Sequence, residues 1–298
     1  MNRFFKHTLL AIAGLSALSL SACGKHEPFR EEVAARLASP AWMIKRPVNA
    51  GPFVLTAFER MHERGETATL YIEGDGEAET LAPALNDTAL FNPTPHNPVA
   101  LHLASRDKSK NLAYIARPCQ YSGLLDKDGD CRAYWGEARF DSETVNAYNA
   151  VLDGIKARYG VTDFNLVGYD GGATLAALLA AGRKDVLSLR TVAGRFDVNA
   201  LGTSLPRLRT VPQHHFIGGQ DMEGSPAELH TYLQALGDSQ CVEHTLIHEA
   251  EHEKGWVNKW PELLKTNVPQ CYVEPEPEFI PIVKPEPIYV PRMGGSKK

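Results

Sequence analysis

Asp170, Asp221 and His252 follow one another along the chain and are residue types that together can make and break a covalent ester. Asp170 stands in a glycine-x-nucleophile-x-glycine pattern, which reads Gly168-Tyr169-Asp170-Gly171-Gly172. Glycines in this pattern allow a strained turn that lifts one side chain above the end of a strand. A carboxylate lifted in this way can attack carbon, while a histidine activates water and a second acid orients the histidine.

The elements around these three residues are predicted to bring them to one edge of a sheet. Each follows an apolar run typical of a buried strand, and these runs are Phe164–Gly168, His215–Ile217 and Val242–His248. Further strands are predicted at 53–58, 68–72, 111–116 and 186–193, and helices at 28–37, 172–182, 227–236, 257–265 and from Asp141 or Ser142 onward. Strands alternating with helices predict an α/β fold with a mostly parallel sheet and helices on both faces.

The order nucleophile, acid, histidine resembles that of the α/β-hydrolase superfamily, in particular its exported bacterial members. The resemblance covers roughly residues 53 to 271 and implies that Asp170 is the nucleophile, His252 the base and Asp221 the orienting acid. It includes the segment Tyr71-Ile72-Glu73-Gly74-Asp75-Gly76, which follows a strand where the family places its oxyanion loop. The resemblance therefore implies an oxyanion hole formed by backbone N–H groups of Gly171, Gly74, Asp75 and Gly76.

The turn that carries Asp170 corresponds to the family's nucleophile elbow, here called the elbow. Most members of the family carry serine there, so Asp170 is a departure from the family. An aspartate that attacked an ester would form an anhydride, which is energetically uphill, whereas attack on an sp³ carbon gives a hydrolysable ester. The resemblance then points to the haloalkane dehalogenase and epoxide hydrolase branches, which also need donors for the leaving group. Tyr121, Tyr134 and Trp135 are the candidates. A second hypothesis is a catalytically degenerate hydrolase-fold binding protein of the cell envelope, in which Asp170 is a relic.

A third, minor hypothesis is a zinc metalloprotease, because His248-Glu249-Ala250-Glu251-His252 fits the H-E-x-x-H pattern. That pattern needs a helix so that both histidines share one face, and the residues before it are strand-like instead. No clear third ligand follows His252. The leading interpretation therefore includes no metal and no organic cofactor.

The N-terminus carries the features of an export signal. Arg3 and Lys6 precede the apolar stretch Leu9–Leu20, which is too short to span a bilayer. The tetrad Leu20-Ser21-Ala22-Cys23 resembles the lipobox of bacterial lipoproteins, which implies cleavage before Cys23 and acylation of that cysteine, for example with palmitate. Because Gly24 follows, where aspartate would favour the inner membrane, the resemblance implies a lipid anchor in the outer membrane, facing the periplasm.

The cysteine count agrees with this interpretation. The chain has five cysteines, and an odd number in an exported protein needs an explanation. Lipidation of Cys23 leaves an even set for an oxidising compartment, namely Cys119, Cys131, Cys241 and Cys271. Three pairings are possible, and we favour Cys119–Cys131 with Cys241–Cys271 because both close local segments.

The composition is that of a folded protein rather than a disordered one, with 43% hydrophobic and 22% charged residues among 298. The net charge of −5 and the lack of a basic stripe argue against a nucleic-acid partner. We predict a signal peptide (1–22), a linker with a short helix (23–50), the α/β-hydrolase domain (51–272) and a Pro-rich tail (273–298). The expected partners are a small-molecule substrate and, through Cys23, a membrane, with no obligate protein partner evident.

Overall fold

The structure is a computed structural model that describes residues 30–76, 92–121 and 131–271. The predicted signal peptide with Cys23 and the Pro-rich tail lie outside these ranges. A single sheet of eight strands organises the described part of the chain. Its strands are β1 (Ile44–Ala50), β2 (Phe53–Met61), β3 (Ala68–Ile72), β4 (Asn111–Ile115), β5 (Phe164–Tyr169), β6 (Val186–Val192), β7 (Gln213–Gly218) and β8 (Val242–Ile247).

The sheet is mostly parallel, which confirms the predicted fold class. Its strand order is β1-β2-β4-β3-β5-β6-β7-β8, and β2 is the strand that runs antiparallel to its neighbours β1 and β4. The other five pairings are parallel. The carboxyl ends of β3 to β8 therefore share one edge of the sheet, here called the carboxyl edge, and their starts share the opposite amino edge. Because Ile44 pairs with Glu59 near the end of β2, β1 also begins at the amino edge.

Eight α-helices surround the sheet in the described ranges. They are α1 (Arg30–Ala38), α2 (Val99–Arg106), α3 (Ser142–Tyr159), α4 (Gly172–Gly182), α5 (Val198–Leu201), α6 (Leu205–Leu208), α7 (Pro226–Leu236) and α8 (Trp260–Leu263). Asp141 caps α3 by accepting a hydrogen bond from the Thr144 N–H, and Gly160 ends it in the left-handed conformation. In the portion of the chain that the structure describes, no helix combines the length and apolar character needed to cross a bilayer.

The helices cover both faces of the sheet, as predicted. Alternate strand residues point to opposite faces, so that Leu70 and Ile72 join one apolar core while Tyr71 joins another. The first core includes residues of α3, α4 and α7. The second includes residues of α1 and α2 together with Trp256 and Trp260, both fully buried. Each face thus has its own apolar layer, as a parallel sheet requires.

Two elements differ from the sequence-based expectation. The segment 23–50 contains α1 and also β1, which pairs with β2 along its whole length. Pro47 makes β1 hard to recognise in the sequence, because proline lacks an N–H and is rare inside a sheet. An edge strand tolerates proline where the missing N–H would have faced away from the sheet. The helix predicted at 257–265 is confined to Trp260–Leu263.

A disulfide bond links the end of the described chain to the residue before the last strand. Cys241, directly before β8, is bonded to Cys271, with their Cα atoms 4.9 Å apart. The bond holds the segment that contains α8 against the last strand. Cys119 is also disulfide-bonded, and the side chain of its predicted partner, Cys131, lies outside the described part of the structure.

Two glycines allow α4 to pack directly on the sheet. A Cβ atom on Gly172 would lie 2.5 Å from the carbonyl oxygens of both Ile72 and Glu73. A Cβ atom on Gly168 would lie 2.5 Å from the Gly172 carbonyl oxygen. Only glycine fits at either position, because the atoms in the way belong to the main chain and cannot rotate aside.

We expect Gly172→Ala to lower the free energy of unfolding by at least about 2 kcal/mol, since an added methyl group would overlap main-chain atoms of β3. Urea denaturation followed by circular dichroism would measure the change. Gly182→Ala, at the other end of α4, is the matched control because no atom lies within 4 Å of its added Cβ. It should leave stability within about 1 kcal/mol of the wild type. Equal losses in both variants would contradict the packing argument.

Candidate active site

Asp170, Asp221 and His252 converge at the carboxyl edge of the sheet. Asp170 directly follows β5, Asp221 lies three residues after β7, and His252 lies five residues after β8. Because these strands are parallel, the loops that follow them leave the sheet at the same edge. The fold therefore brings together the three side chains singled out from the sequence.

Asp170 occupies a left-handed turn between β5 and α4, with a φ of 51°. Few residues other than glycine adopt this conformation, although aspartate is among the more tolerant. Main-chain hydrogen bonds hold the turn: the Asp170 N–H donates to Val192 O, and its carbonyl oxygen accepts from the N–H groups of Ala173 and Arg195. The neighbouring strands thus fix the direction in which the Asp170 side chain points.

The two carboxylate oxygens of Asp170 have different surroundings. Oδ2 accepts a hydrogen bond of 2.7 Å from the Asp75 N–H. Oδ1 lies 3.5 Å from Nε2 of His252 and 3.7 Å from a guanidinium nitrogen of Arg195. Burial of the side chain opposes ionisation, but His252, Arg195 and the Asp75 N–H outweigh it, so the pKa of Asp170 is lowered. Asp170 is therefore a carboxylate at neutral pH.

His252 is an imidazolium held between two carboxylates. Its Nδ1 lies 3.1 Å from both oxygens of Asp221, while Nε2 faces Asp170. Burial acts to lower the pKa of His252, but Asp170 and Asp221 together raise it to about 10. Because this pKa exceeds the ordinary value, protonation of His252 stabilises the fold at neutral pH, and that contribution is lost as the pH rises through about 10.

The loops behind the histidine fix its position. Asp221 Oδ1 accepts hydrogen bonds from the N–H groups of Glu223 and Gly224, at 2.8 and 2.9 Å. The indole N–H of Trp256 donates to the carbonyl oxygens of Glu251 and His252. Sequence reasoning missed Trp256, since its role depends on two carbonyl groups of a loop that has no regular structure.

The predicted oxyanion loop supplies one N–H donor to the Asp170 carboxylate. Asp75 provides the N–H that meets Asp170. The Gly74 N–H donates to Oε1 of Glu73 at 3.0 Å, so its role as an oxyanion donor stays a prediction. Gly76 is in the left-handed conformation, and a Cβ atom there would overlap Pro93 and lie against Gln120, so its predicted role as a donor stays a prediction.

Gly171 has a steric role at the elbow, while its predicted role as an oxyanion donor stays a prediction. A Cβ atom there would overlap the Asp75 carboxylate, so glycine lets this second carboxylate lie against the start of α4. Arg117 and Arg139 bind the two Asp75 oxygens at 2.6 and 3.1 Å. Burial raises the pKa of Asp75, and the charge of Arg117 opposes that rise. The sequence analysis did not single out either arginine.

The three predicted leaving-group donors have contacts other than Asp170. Tyr134 donates its hydroxyl hydrogen to Glu143 and packs edge-on against Phe53. Tyr121 packs against Phe58 on the second core. Trp135 stacks under the Arg117 guanidinium. Among the described residues, the cation nearest Asp170 Oδ1 besides His252 is Arg195, which sequence reasoning also missed.

A small polar cavity of about 90 Å³ adjoins the elbow. Gly171 and Asp75 contribute to its wall, and the other lining residues are Arg139, Phe140, Thr174, Arg195, Phe196, Asp197 and Glu228. A cavity of this size beside Gly171 and Asp75 can hold a small polar group.

The zinc hypothesis finds no support in the geometry. The segment 248–252 forms a turn after β8 and is not helical, so His248 and His252 do not share a helix face. His248 is exposed, and His252 is occupied by Asp170 and Asp221. Across residues 30–76, 92–121 and 131–271, no group of three or more histidine, cysteine or acidic residues could hold a metal ion.

Comparison with known proteins rests on structure. No protein-family model and no curated protein sequence matches the chain. The fold is similar to that of an alpha-beta serine hydrolase homologue from Coxiella burnetii (TM-score 0.51, 17% identity, covering 74% of this chain and 93% of that one). It is also similar to a protein of unknown function from Agrobacterium tumefaciens (0.52, 13%, 74% and 93%) and an esterase from Pyrococcus furiosus (0.51, 11%, 76% and 90%). At these identities the likeness shows the fold.

We expect Asp170→Asn to lower the pKa of His252 by about one to three pH units, because the variant removes an adjacent negative charge. Titration of the histidine ring signals by NMR would measure this pKa. Glu223→Gln is the matched control, since a Glu223 oxygen also lies 3.8 Å from Nε2 but its side chain is 57% exposed. Screening by water should leave its effect below about half a pH unit. Similar shifts in the two variants would contradict the proposed pairing of Asp170 with His252.

Proposed function

We propose that this protein, which has the α/β-hydrolase fold, is a hydrolase in which Asp170 attacks an sp³ carbon of a small organic substrate. His252 then serves as the base and Asp221 as the acid that orients it. The observation that carries the proposal is the hydrogen bond from the Asp75 N–H to Asp170 Oδ2. It supports the proposal because Oδ2 would then occupy the oxyanion position while Oδ1, which faces His252, would attack.

The first step of this reaction forms an ester on the protein. Asp170 Oδ1 bonds to the substrate carbon, and the bond from that carbon to its leaving group breaks, so that the leaving group departs with the electron pair. Arg195 and the imidazolium of His252 are the cations closest to Oδ1. They keep Asp170 ionised before the attack. An in-line displacement sends the leaving group to the side of the carbon opposite Oδ1, so a halide departs as the anion and an alkoxide formed from an epoxide takes a proton from water.

The second step depends on the change in the charge of Asp170. Once Asp170 is esterified, the carboxylate that raises the pKa of His252 is gone, and the proton is lost more easily. Neutral His252 can then take a proton from water, whose oxygen attacks the ester carbonyl carbon. The Asp75 N–H donates to Oδ2 as charge develops there. On collapse the bond between Cγ and Oδ1 of Asp170 breaks, and the departing alkoxide takes the proton from His252 and leaves as the alcohol. One oxygen of water stays in the Asp170 carboxyl group, which then loses its proton.

Hydrolysis of acyl esters is disfavoured by the same geometry. A serine nucleophile leaves the oxyanion position open for the substrate carbonyl oxygen. Here Asp170 Oδ2 already accepts from the Asp75 N–H, and the Gly74 N–H is bound to Glu73. An acyl substrate would thus find the Asp75 and Gly74 donors occupied, which favours haloalkanes and epoxides as substrates.

We expect a chain from Gly24 to Lys298, which retains every described element, to hydrolyse an epoxide or a haloalkane and not acyl esters. Asp170→Ala and His252→Gln should each lower turnover by at least about 10³-fold, since each removes a member of a cooperating set. In a single turnover in ¹⁸O-labelled water, mass spectrometry of peptides should find the label in Asp170. His252→Gln should instead accumulate the ester as a mass increase on that peptide.

Two substitutions serve as matched controls for this experiment. Asp153→Asn changes an exposed aspartate of α3 that pairs with Arg183, and His248→Gln changes the exposed histidine of the zinc pattern. Both should retain full turnover. Loss in His248→Gln would favour the zinc hypothesis, and ester hydrolysis that survives Asp170→Ala would mean that the nucleophile lies elsewhere. A folded chain that turns over none of these substrates would favour a degenerate binding protein.

We also propose that the protein is anchored to the periplasmic side of the bacterial outer membrane through lipid on Cys23. The support is the tetrad Leu20-Ser21-Ala22-Cys23 and the apolar stretch before it. We expect the full chain, expressed in bacteria fed labelled palmitate, to carry the label and to fractionate with membranes. Cys23→Ser should abolish labelling, whereas Cys241→Ser with Cys271→Ser should not. Labelling that persists in Cys23→Ser would contradict the anchor.

A further inference from the structure

We propose that the amino edge of the sheet carries a surface that binds anionic phospholipid and turns the carboxyl edge away from the membrane. This basic-aromatic patch consists of Trp42, Ile44, Arg106, Lys108 and Lys110. The proposal deepens the envelope location proposed above, but it can be tested without the lipid anchor. It is independent of the catalytic residues, which lie at the opposite edge.

The apolar half of the patch is exposed by the way the chain enters the sheet. Trp42 is 78% exposed and Ile44 is 71% exposed, with a single buried residue between them. Trp42 has a left-handed φ of 59°, and its N–H donates to Ser39 O. The turn therefore holds the indole outward. Tryptophan beside an aliphatic side chain suits a membrane interface, where an apolar body and a polar N–H are both accommodated.

The basic half lies between α2 and the start of β4. Arg106, Lys108 and Lys110 are all exposed. Lys110 pairs with Glu63, whereas Arg106 and Lys108 form no ion pair with any residue in the described ranges. The nearby Asp107 is buried and accepts hydrogen bonds from the Tyr71 hydroxyl and the Ser109 N–H. In a chain with a net charge of −5, this local excess of positive charge complements a negatively charged lipid surface.

Arg60 joins the two halves into one rigid platform. Its guanidinium donates to the carbonyl oxygens of Ala41, Asp107 and Ser109, at 2.8, 2.6 and 2.7 Å. A groove of about 450 Å³ runs along this platform and is lined by Trp42, Arg60 and the basic residues of the patch. The main-chain segments that carry the aromatic and cationic groups are therefore held side by side, so these groups can meet a headgroup layer together.

The proposed lipid anchor can reach this side of the molecule. Arg30 begins α1 beside Asn92 and Thr94, whose carbonyl oxygens accept its hydrogen bonds. From there the nine residues of α1 span about 13 Å toward Trp42. The seven residues from Cys23 to Arg30 can extend over about 24 Å, enough to return along the helix.

The orientation has a consequence for the substrate. Asp170, Asp221 and His252 follow the carboxyl ends of their strands, whereas the patch lies at the starts of β1 and β4. A membrane bound to the patch would leave the site facing the aqueous compartment. The substrate would therefore reach Asp170 from water rather than from the lipid layer.

The test uses the chain from Gly24 to Lys298 and vesicles of phosphatidylethanolamine with one quarter phosphatidylglycerol, in flotation at 0.1 M salt. We expect the wild type to float with these vesicles, to dissociate at high salt, and to bind neutral phosphatidylcholine vesicles at least ten-fold more weakly. Trp42→Ala combined with Lys108→Gln should lower vesicle affinity at least ten-fold. Spin-labelled lipid should quench tryptophan fluorescence of the wild type but not of this variant.

The matched control is Met222→Ala combined with Lys254→Gln, which removes one apolar and one basic side chain at the carboxyl edge. Met222 is 90% exposed and the Lys254 side chain is 76% exposed. The control should keep vesicle affinity within about two-fold of the wild type. An equal loss in both variants, or no flotation of the folded wild type, would overturn the proposal. Neither result would bear on lipid attachment at Cys23, which palmitate labelling measures separately.

Discussion

Negative charge buried at the carboxyl edge of the sheet is the constraint on which the arrangement of the site depends. Asp75, Asp170 and Asp221 are each no more than 4% exposed. A buried carboxylate is tolerated only where cations and N–H donors replace the lost water. Arg117 meets Asp75, and His252 lies between the other two. These five residues follow five different strands, so their pairing ties together the loops at the carboxyl edge.

The part of the site that could be predicted from the sequence is the part that local structure specifies. The Asp170 turn could be predicted because a close approach between a strand and a helix needs glycine at positions such as Gly172. Asp221 and His252 could be predicted because each follows an apolar run, and parallel strands bring such positions to one edge. The sequence spacing placed these residues after strands, and the strand order of the sheet shows that those strands lie close together.

The rest of the site depends on contacts between distant segments, which no local pattern specifies. Arg117 and Arg139 meet the carboxylate of Asp75 from 42 and 64 residues away, and nothing in their spacing marks them as partners. In the oxyanion loop, too, the sequence pattern did not show which N–H group would meet Asp170. Gly74 and Asp75 are adjacent, and the bond from the Gly74 N–H to Glu73 decides which of the two N–H groups remains for Asp170.

The proposed change of electrophile gives a chemical use to both contacts of the aspartate at the elbow. Any buried carboxylate needs such partners, but in the proposed reaction the N–H donor on one oxygen and the cationic histidine beside the other each have a role as well. Such a carboxylate is costly to bury, and Asp170 lies in a left-handed turn as well. Serine would avoid the buried charge, but it would leave His252 with one carboxylate instead of two. The proposed aspartyl ester uses both oxygens of Asp170, one as the attacking atom and one as the acceptor of developing charge. The geometry that stabilises the resting carboxylate is therefore the geometry that its hydrolysis would require.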